Sequence, residues 1–516
     1  LLLHEPYVRL YPAQVIKQAD LVLAMHWQSH AFSAEQKARN VDYYERRTTR
    51  DSSLSACTQA VMCADVGHLE LAHDYAYEAA LIDLRDLHRN TGDGVHVASL
   101  AGSWTALVQG FGGLRDDDDT EKATNISNHF FFELGDTEQG FKDADIVVER
   151  EFRTATVHQG YIEPHSATAM WGEDGKLTIW CSSQGHFQIR DLTGLVLGVP
   201  VSQIKVIPME IGGGFGGKTV IYLEPVAAVL SKKTGRPVKV SMSRAEVFEA
   251  TGPTSGSYIR VKIGANKEGM ITAADITMMY EAGGFPGSPI NQACQCVMTP
   301  YNVANGRIEG YDVVVNKPKA AAYRAPGVPA AAFAAESVID EICEKLGMDP
   351  LEFRTKNASK EGSRRIPGPV LQKVGYLETL AAAMDTEHYK APLEGPNRGR
   401  GIAAGFWFNR GGETTGSLNV APDGSVTIMV GTPDVAGSRI SICMMAAEEL
   451  GIPVDKVRSI IADTSALGYN HVSAGSRVTF SSGMVIVDSA RKAIQVMCQR
   501  AAKTWDVPED GVVFED

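Results

Sequence analysis

Long apolar runs are missing from this sequence. No stretch of about 18 apolar residues occurs, which excludes a helix spanning a bilayer. Basic charge is not in excess either. Lys and Arg number 49 against 62 Asp and Glu, a formal net charge of -13, which argues against non-specific binding to nucleic acid or anionic membranes. Cysteine is sparse and scattered: of Cys57, Cys63, Cys181, Cys294, Cys296, Cys343, Cys443 and Cys498, only Cys294 and Cys296 lie close together. They lack the companions that a zinc or iron–sulfur site needs. The eight read as reduced, mostly buried thiols of a cytoplasmic protein. The opening LLLHEPYVRLYPAQ has no basic segment and no small-residue cleavage site, so no signal peptide is expected. Without an initiator Met, a fragment or processed product is expected instead. Asn125-Ile126-Ser127 fits a glycosylation acceptor and is read as chance in the absence of such a signal.

What is present suggests several domains. A chain of 516 residues with 44% hydrophobic and 22% charged content is ordinary for a soluble protein and too long for one core. Residues 1–112 read as helices: QVIKQADLVLAM, a helix capped at Ser33, LSACTQAVMCADVG closed by Gly67, LELAHDYAYEAALIDLRDL and VHVASLAGSWTALVQGFGG. The acidic run Asp116-Asp117-Asp118-Asp119 then marks a boundary. Beyond it, ADIVVEREFRTATV, KLTIWCSS, QIKVIPMEI, YIRVKIGANKEGMITAADITMMYEAGG and GSVTIMVGT read as strands. They alternate with the helical TVIYLEPVAAVLSKKTG, FAAESVIDEICEKLG and ISICMMAAEELG. The expected fold class is α+β, a mixed α/β arrangement, preceded by an all-α fragment. Three segments are expected, 1–117, 118–395 and 396–516.

In the helical segment, KQADLVLAM, YYERRTTRDSSLSACTQAVMCADVGHLELAHDYAYEAALIDLRDL and GVHVASLAGSWTALVQGFGG together resemble the maltose, kojibiose and trehalose phosphorylases. That resemblance implies part of an (α/α)6 barrel. It implies that Lys17 and Gln18 correspond to sugar-contacting residues, and Ser52, Ser53 and His96 to a phosphate-binding group. Helix N-termini offer free N–H groups to such an anion, although hydroxyls there are more often plain caps. The family's general-acid glutamate lies in sequence upstream of this stretch.

Ile211-Gly212-Gly213-Gly214-Phe215-Gly216-Gly217-Lys218-Thr219 satisfies the P-loop pattern between an expected strand and helix. The companion Mg²⁺-binding Asp after a strand is lacking, because Asp340 sits in a helical run. The fuller MEIGGGFGGK resembles the molybdopterin-binding signature of the xanthine dehydrogenase and aldehyde oxidase family. Glycines there let backbone N–H groups approach an oxo or phosphate ligand. QGYIEPHSATA, CSSQGHFQIRDLTGLVLGVP, EAGGFPG, AYRAPGVP, GTPDVAGSRISICMMAAEELGIP and SAGSRVTFSSGM resemble further segments of that family in the same order. The resemblance implies that Gln184 reaches toward the metal's apical ligand and that Gly213, Gly214, Phe215 and Gly216 form the cofactor loop. It also implies that Arg324 lies near the metal, and that Gly437, Ser438, Gly475, Ser476, Arg477 and Val478 contact the pterin dithiolene or its phosphates. No side chain is expected to ligate molybdenum directly; the pterin holds it.

Two departures carry consequences. Thr219 stands where many purine-oxidising members place a glutamate, which disfavours a xanthine substrate, and Gly437-Ser438-Arg439 replaces a Gly-Gln-Gly loop. The family's general-base glutamate lies in a loop well past SAGSRVTF, and no counterpart is found before Asp516, so the catalytic residue is expected to be missing. The expected cofactor is molybdopterin, its cytosine dinucleotide form included among the options. FAD and [2Fe–2S] centres are expected on partner subunits. The implied reaction is oxidation of an aldehyde or N-heterocycle with water-derived oxygen. The competing readings are an inverting disaccharide phosphorylase fragment, and a non-catalytic fusion or an assembly artefact joining two reading frames.

Overall fold

The computed structural model describes residues 20–49, 55–87, 96–112, 124–408, 411–435 and 437–515. It divides into two compact units, Leu1–Ala123 and Thr124–Asp516. The first is built from the helices Asp20–Trp27, Ala34–Glu45, Ser55–Asp65, Leu69–Leu81 and Val97–Thr105, the last running on as a π-turn over Ala106–Phe111. Ser33 caps the second helix reciprocally: Gln36 N donates to Ser33 Oγ (3.3 Å) and Ser33 N donates to Gln36 Oε1 (2.8 Å). Gly67, at φ +88°, turns the chain after the third. Small side chains dominate the core, with Ala56, Ala60, Ala72 and Ala79 packed around Met25, Met62 and Tyr75.

The second unit contains the strands β1 (Ile126–Leu134), β2 (Ile146–Thr154), β3 (Ser166–Trp171), β4 (Leu177–Cys181), β5 (Ile204–Pro208), β6 (Val238–Ser241), β7 (Ser257–Ala265), β8 (Ile271–Gly283), β9 (Gly306–Val314), β10 (Gly416–Val420), β11 (Val426–Val430) and β12 (Val457–Ile461). They form three sheets, ordered β1-β9-β8-β7-β2, β5-β4-β3-β6 and β10-β11-β12. The α+β class read from the sequence is the observed one. In the five-stranded sheet, alternate residues Ile259, Val261, Ile263, Ile276 and Met278 bury against Ala331, Ala334, Val338 and Ile342 of the helix Val328–Leu346. The parallel pairs β4–β5 and β11–β12 are each bridged by a helix, His186–Leu197 and Ser438–Leu450.

Strands β2, β4, β5, β7, β8 and β11 fall within runs legible in the sequence. The other six were not read, and three of them share a physical reason. β1 and β9 carry Asn, His, Glu and Gly among their apolar residues, and β3 is largely Ser, Ala and Thr, so none shows a clean two-residue alternation. The 28-residue helix Val478–Trp505 was likewise not read, and SAGSRVTFSSGM is therefore half loop and half helix. Among the described residues, no helix is long and apolar enough to cross a membrane.

Candidate functional site

The glycine-rich segment leaves the C-terminal end of β5. The next helix begins only at Glu224, five residues after Thr219, so the strand–loop–helix junction of a P-loop is not formed. Gly213, Phe215 and Gly216 take φ of +94°, +53° and +109°, a region that favours glycine. Close approach explains two of the glycines. A Cβ on Gly214 would lie 2.5 Å from Gln184 Oε1, and one on Gly216 would lie 2.5 Å from the Ala322 carbonyl.

Gln184 sits in the Ser182–Gly185 turn between β4 and the helix His186–Leu197, at the neighbouring strand end. Its buried side chain ties three loops together. Oε1 accepts from Gly216 N (2.8 Å) and Lys218 N (3.3 Å), while Nε2 donates to Ser473 O (2.8 Å). The backbones reinforce this: Gln184 N donates to Lys218 O and Ser473 N to Gln184 O. Nε2 carries a second hydrogen for which no described residue supplies an acceptor.

The Arg324 loop closes on the same place. Arg324 N donates to Phe215 O (2.9 Å), and Arg324 and Ala325 take φ of +24° and +60°. Non-glycine residues so placed are strained, and such strain concentrates at functional sites. The Arg324 side chain is exposed, as is Phe215. Gln159 Nε2 holds the loop from the other side through Ala322 O (2.9 Å) and Gly252 O (3.0 Å).

The later candidates behave differently from one another. Gly475 and Ser476 form a left-handed turn at φ +65° and +61°. Arg477 is fully buried and donates to His471 O, Gly412 O, Glu413 O and Thr414 Oγ1. Burial pushes its guanidinium below its ordinary pKa, and its Nε has no acceptor. Val478 opens the long helix, which no side chain caps. This helix runs parallel to Ser438–Leu450, since Gly483 packs on Met445 and Arg491 pairs with Glu449 (2.6 Å). The two N-termini therefore start side by side. At Gly437 and Ser438 two donors are already used: Asp434 Oδ1 accepts from Gly437 N (3.0 Å) and Ser438 Oγ (2.8 Å). Burial opposes ionisation of Asp434, but Arg439 and Ser438 hold its carboxyl below its ordinary value. Arg439 also reaches Glu210 (2.8 Å), just ahead of the glycine loop.

The sequence thus named most of the cluster but passed over Glu163, Lys218 and Ser473. Glu163 lies in the QGYIEPH string, whose motif signal was visible without any hint of what the carboxylate touches. In the helical unit, His96 Nδ1 lies 2.6 Å from Asp83 Oδ1, and His96 N donates to Asp83 Oδ2 (2.8 Å). The His96 hydrogen bond holds the Asp83 carboxyl below its ordinary pKa. Lys17, Gln18, Ser52 and Ser53 lie outside the described residues.

A molybdenum cofactor fits the donor set at the glycine loop. The buried Arg477 Nε, Ser481 Oγ and Ser182 Oγ have no protein partner. With the spare Gln184 hydrogen and the uncapped helix at Val478 they make a donor-rich site, which suits an anionic ligand bearing oxo and phosphate groups. Among the described residues, no cluster of His, Cys, Asp and Glu could hold a metal directly.

Comparison with known proteins separates the chain at the same place as the structure. Residues 119–358 and 372–516 match two family models, each described as a molybdopterin cofactor-binding domain, and residues 1–105 match the glycosyl hydrolase family 65 central catalytic domain. Over 118 residues the chain is 89% identical to an uncharacterised glycosyl hydrolase of Mycobacterium tuberculosis, covering 23% of this chain and 15% of that protein. Over 397 residues it is 27% identical to a probable xanthine dehydrogenase subunit of Bacillus subtilis, covering 74% of this chain and 53% of the relative. Quinoline 2-oxidoreductase from Pseudomonas putida 86 superposes with a TM-score of 0.70 at 21% identity, over 79% of this chain and 56% of that one, which establishes the fold. The chain spans about half the length of its molybdopterin-binding relatives. It is chimeric: a glycosyl hydrolase family 65 segment precedes two molybdopterin cofactor-binding domains homologous to xanthine dehydrogenase and aldehyde oxidase large subunits.

Proposed function

We propose that residues 118–395 and 396–516 cradle the molybdenum cofactor in a hydroxylase that oxidises an aldehyde or N-heterocycle. The observation that carries this reading is the Gln184 amide, on which the glycine loop and the Ser473 loop meet. When bound, the cofactor supplies the redox-active metal through which water-derived oxygen reaches an activated C–H bond. The residues of this chain bind and orient. Gln184 directs its spare N–H toward the ligand, and Gly213, Gly214 and Gly216 keep the approach clear of Cβ atoms. Phe215, half exposed beside Gly213, walls the substrate side, and Arg324 offers a cation to developing negative charge. Arg477, Gly475, Ser476 and Val478 face the dithiolene or phosphate end. Gly437 and Ser438 act at one remove, because Asp434 already takes their donors.

No general base is assigned among these residues. Glu163 and Asp434 are both committed to cations, Lys218 and Arg439, so neither is free for that role. The chain alone is accordingly expected to turn over weakly. Iron–sulfur and flavin centres on partner subunits would take up the electrons, and the pterin is the mono- or cytosine dinucleotide form. Scattered and mostly buried cysteines support a cytoplasmic setting. Of the five sugar and phosphate contacts expected in the helical unit, only His96 is described, and no reaction is proposed for that unit.

Gln184→Ala tests the reading. Expressed in cells that make the cofactor, the variant is expected to retain at least fivefold less pterin than the parent, measured as its fluorescent oxidation product. Equal retention contradicts the proposed role of Gln184. Pterin released with or without cytidine monophosphate identifies the form. Dye-linked oxidation of aldehydes against N-heterocycles, with partner subunits added, assigns the substrate class.

A further inference from the structure

The glycine loop does not rest on its own sheet alone. It is moulded on the segment 159–165. A Cβ on Gly212 would lie 2.6 Å from Glu163 Cβ, and one on Gly217 would lie 2.7 Å from Tyr161 Cε1. Glu163 N also donates to Gly212 O (3.3 Å). One carboxylate oxygen joins the loop's two ends: Glu163 Oε2 accepts from Gly212 N (2.6 Å) and from Lys218 Nζ (2.6 Å). The Lys218 side chain is wholly buried, whereas that of Glu163 is about one-third exposed (0% and 32%). The ammonium lies 5.1 Å above the Tyr161 ring, and Glu163 is its ion-pair partner. A cation buried this deeply needs its counter-charge, because an unpaired one is expelled or neutralised.

We propose that Glu163 is a positioning residue for the cofactor site: a latch that neutralises buried Lys218 and, through the same oxygen, fixes Gly212, so that the amides of Gly213, Gly214 and Phe215 are held for the ligand. The proposal rests on the cofactor reading above and adds a residue that does not itself touch the ligand. Gly213, Phe215 and Gly216 hold left-handed backbone between the two latched ends. Freed at Gly212 and the Lys218 ammonium, that stretch keeps its Gln184 and Arg324 contacts but loses the tether that fixes the amides of Gly213, Gly214 and Phe215.

The test uses the full chain and two readouts, hydrogen–deuterium exchange of the segment 209–223 without cofactor and pterin retention after expression with it. Glu163→Gln is expected to speed exchange of the loop at least tenfold, leave the β7–β8 segment unchanged, and cut pterin retention at least fivefold. Pairing it with Lys218→Met, which removes the stranded cation, is expected to restore most of both. Glu149→Gln, which breaks the Arg260–Glu149 surface pair (2.9 Å), is the control and should change neither. Loop exchange at the parent rate in Glu163→Gln overturns the latch, and so does faster exchange with pterin retained in full. A double variant no better than the single one overturns the charge argument. A parent chain that binds no pterin contradicts the cofactor reading instead, and loop exchange then still decides the latch.

Discussion

The two units use opposite strategies to become specific. The helical unit is assembled from neighbours in sequence, with an alanine-rich core and a cap formed three residues apart. The α/β unit is assembled from distant segments: Gln184 meets Ser473 across 289 positions, and Gln159 meets Ala322 across 163. Its candidate site lies where those distant loops touch. The contrast teaches that a unit assembled from sequence neighbours leaves its structure legible in local pattern, whereas a site built from many loops depends on the surrounding fold being in place.

Substitutions can break or sharpen that contrast. The largest effect is expected from Glu336→Ala. Glu336 is buried against Arg354 (2.8 Å) and accepts from Tyr301 and from Ala404 N. Removing it leaves the buried guanidinium with Asp340 (2.9 Å) as its remaining carboxylate and three donors without their partner, at a cost of about 3–5 kcal/mol. Urea unfolding should lose that amount from the α/β transition and nothing from the helical one; a joint shift would show that the units are not independent.

Acid should act next. Burial pushes His165 down to about 3 and His186 down to about 4, from 6.5. Both are neutral in the folded state, so between pH 6.5 and about 4 the unfolded chain binds more protons. Their stabilisation is complete above 6.5 and is lost as pH falls, about 1.4 kcal/mol per unit for each. The urea midpoint of the α/β transition should therefore drop between pH 6.5 and 5. A flat profile contradicts the buried neutral pair.

Gly216→Ala places a side chain at φ +109° and 2.5 Å from a carbonyl. Strain of about 1–3 kcal/mol should fall on the glycine loop, reducing pterin retention with little change in the helical unit's unfolding. The smallest effects belong to the caps. Ser33→Ala and Ser243→Ala each remove a capping box, one in each unit, at about 1 kcal/mol apiece. Each should shift only its own unit's transition.

Legibility in the sequence followed the same division. Helices announce themselves through a 3.6-residue period and local caps, so Ser33 and Gly67 were readable directly. The clean alternation of β7 and β8 was readable too. β3 and β9 were not, because tertiary packing rather than side-chain pattern makes them strands. At the site, motifs gave identities and order, which placed Gln184, Phe215 and Arg324 in one list. They could not give the contacts: that Gln184 spends its oxygen on the glycine loop, that Asp434 pre-empts Gly437, or that Glu163 latches Lys218. Those depend on side-chain directions that a linear string does not contain.

The central claim is that the α/β unit holds a molybdenum cofactor. Its most direct test is the molybdenum and pterin content per chain, measured on full-length protein purified from cells that make the cofactor. The account predicts both near one per chain in the parent, falling together in Gln184→Ala. A parent free of both metal and pterin would contradict it.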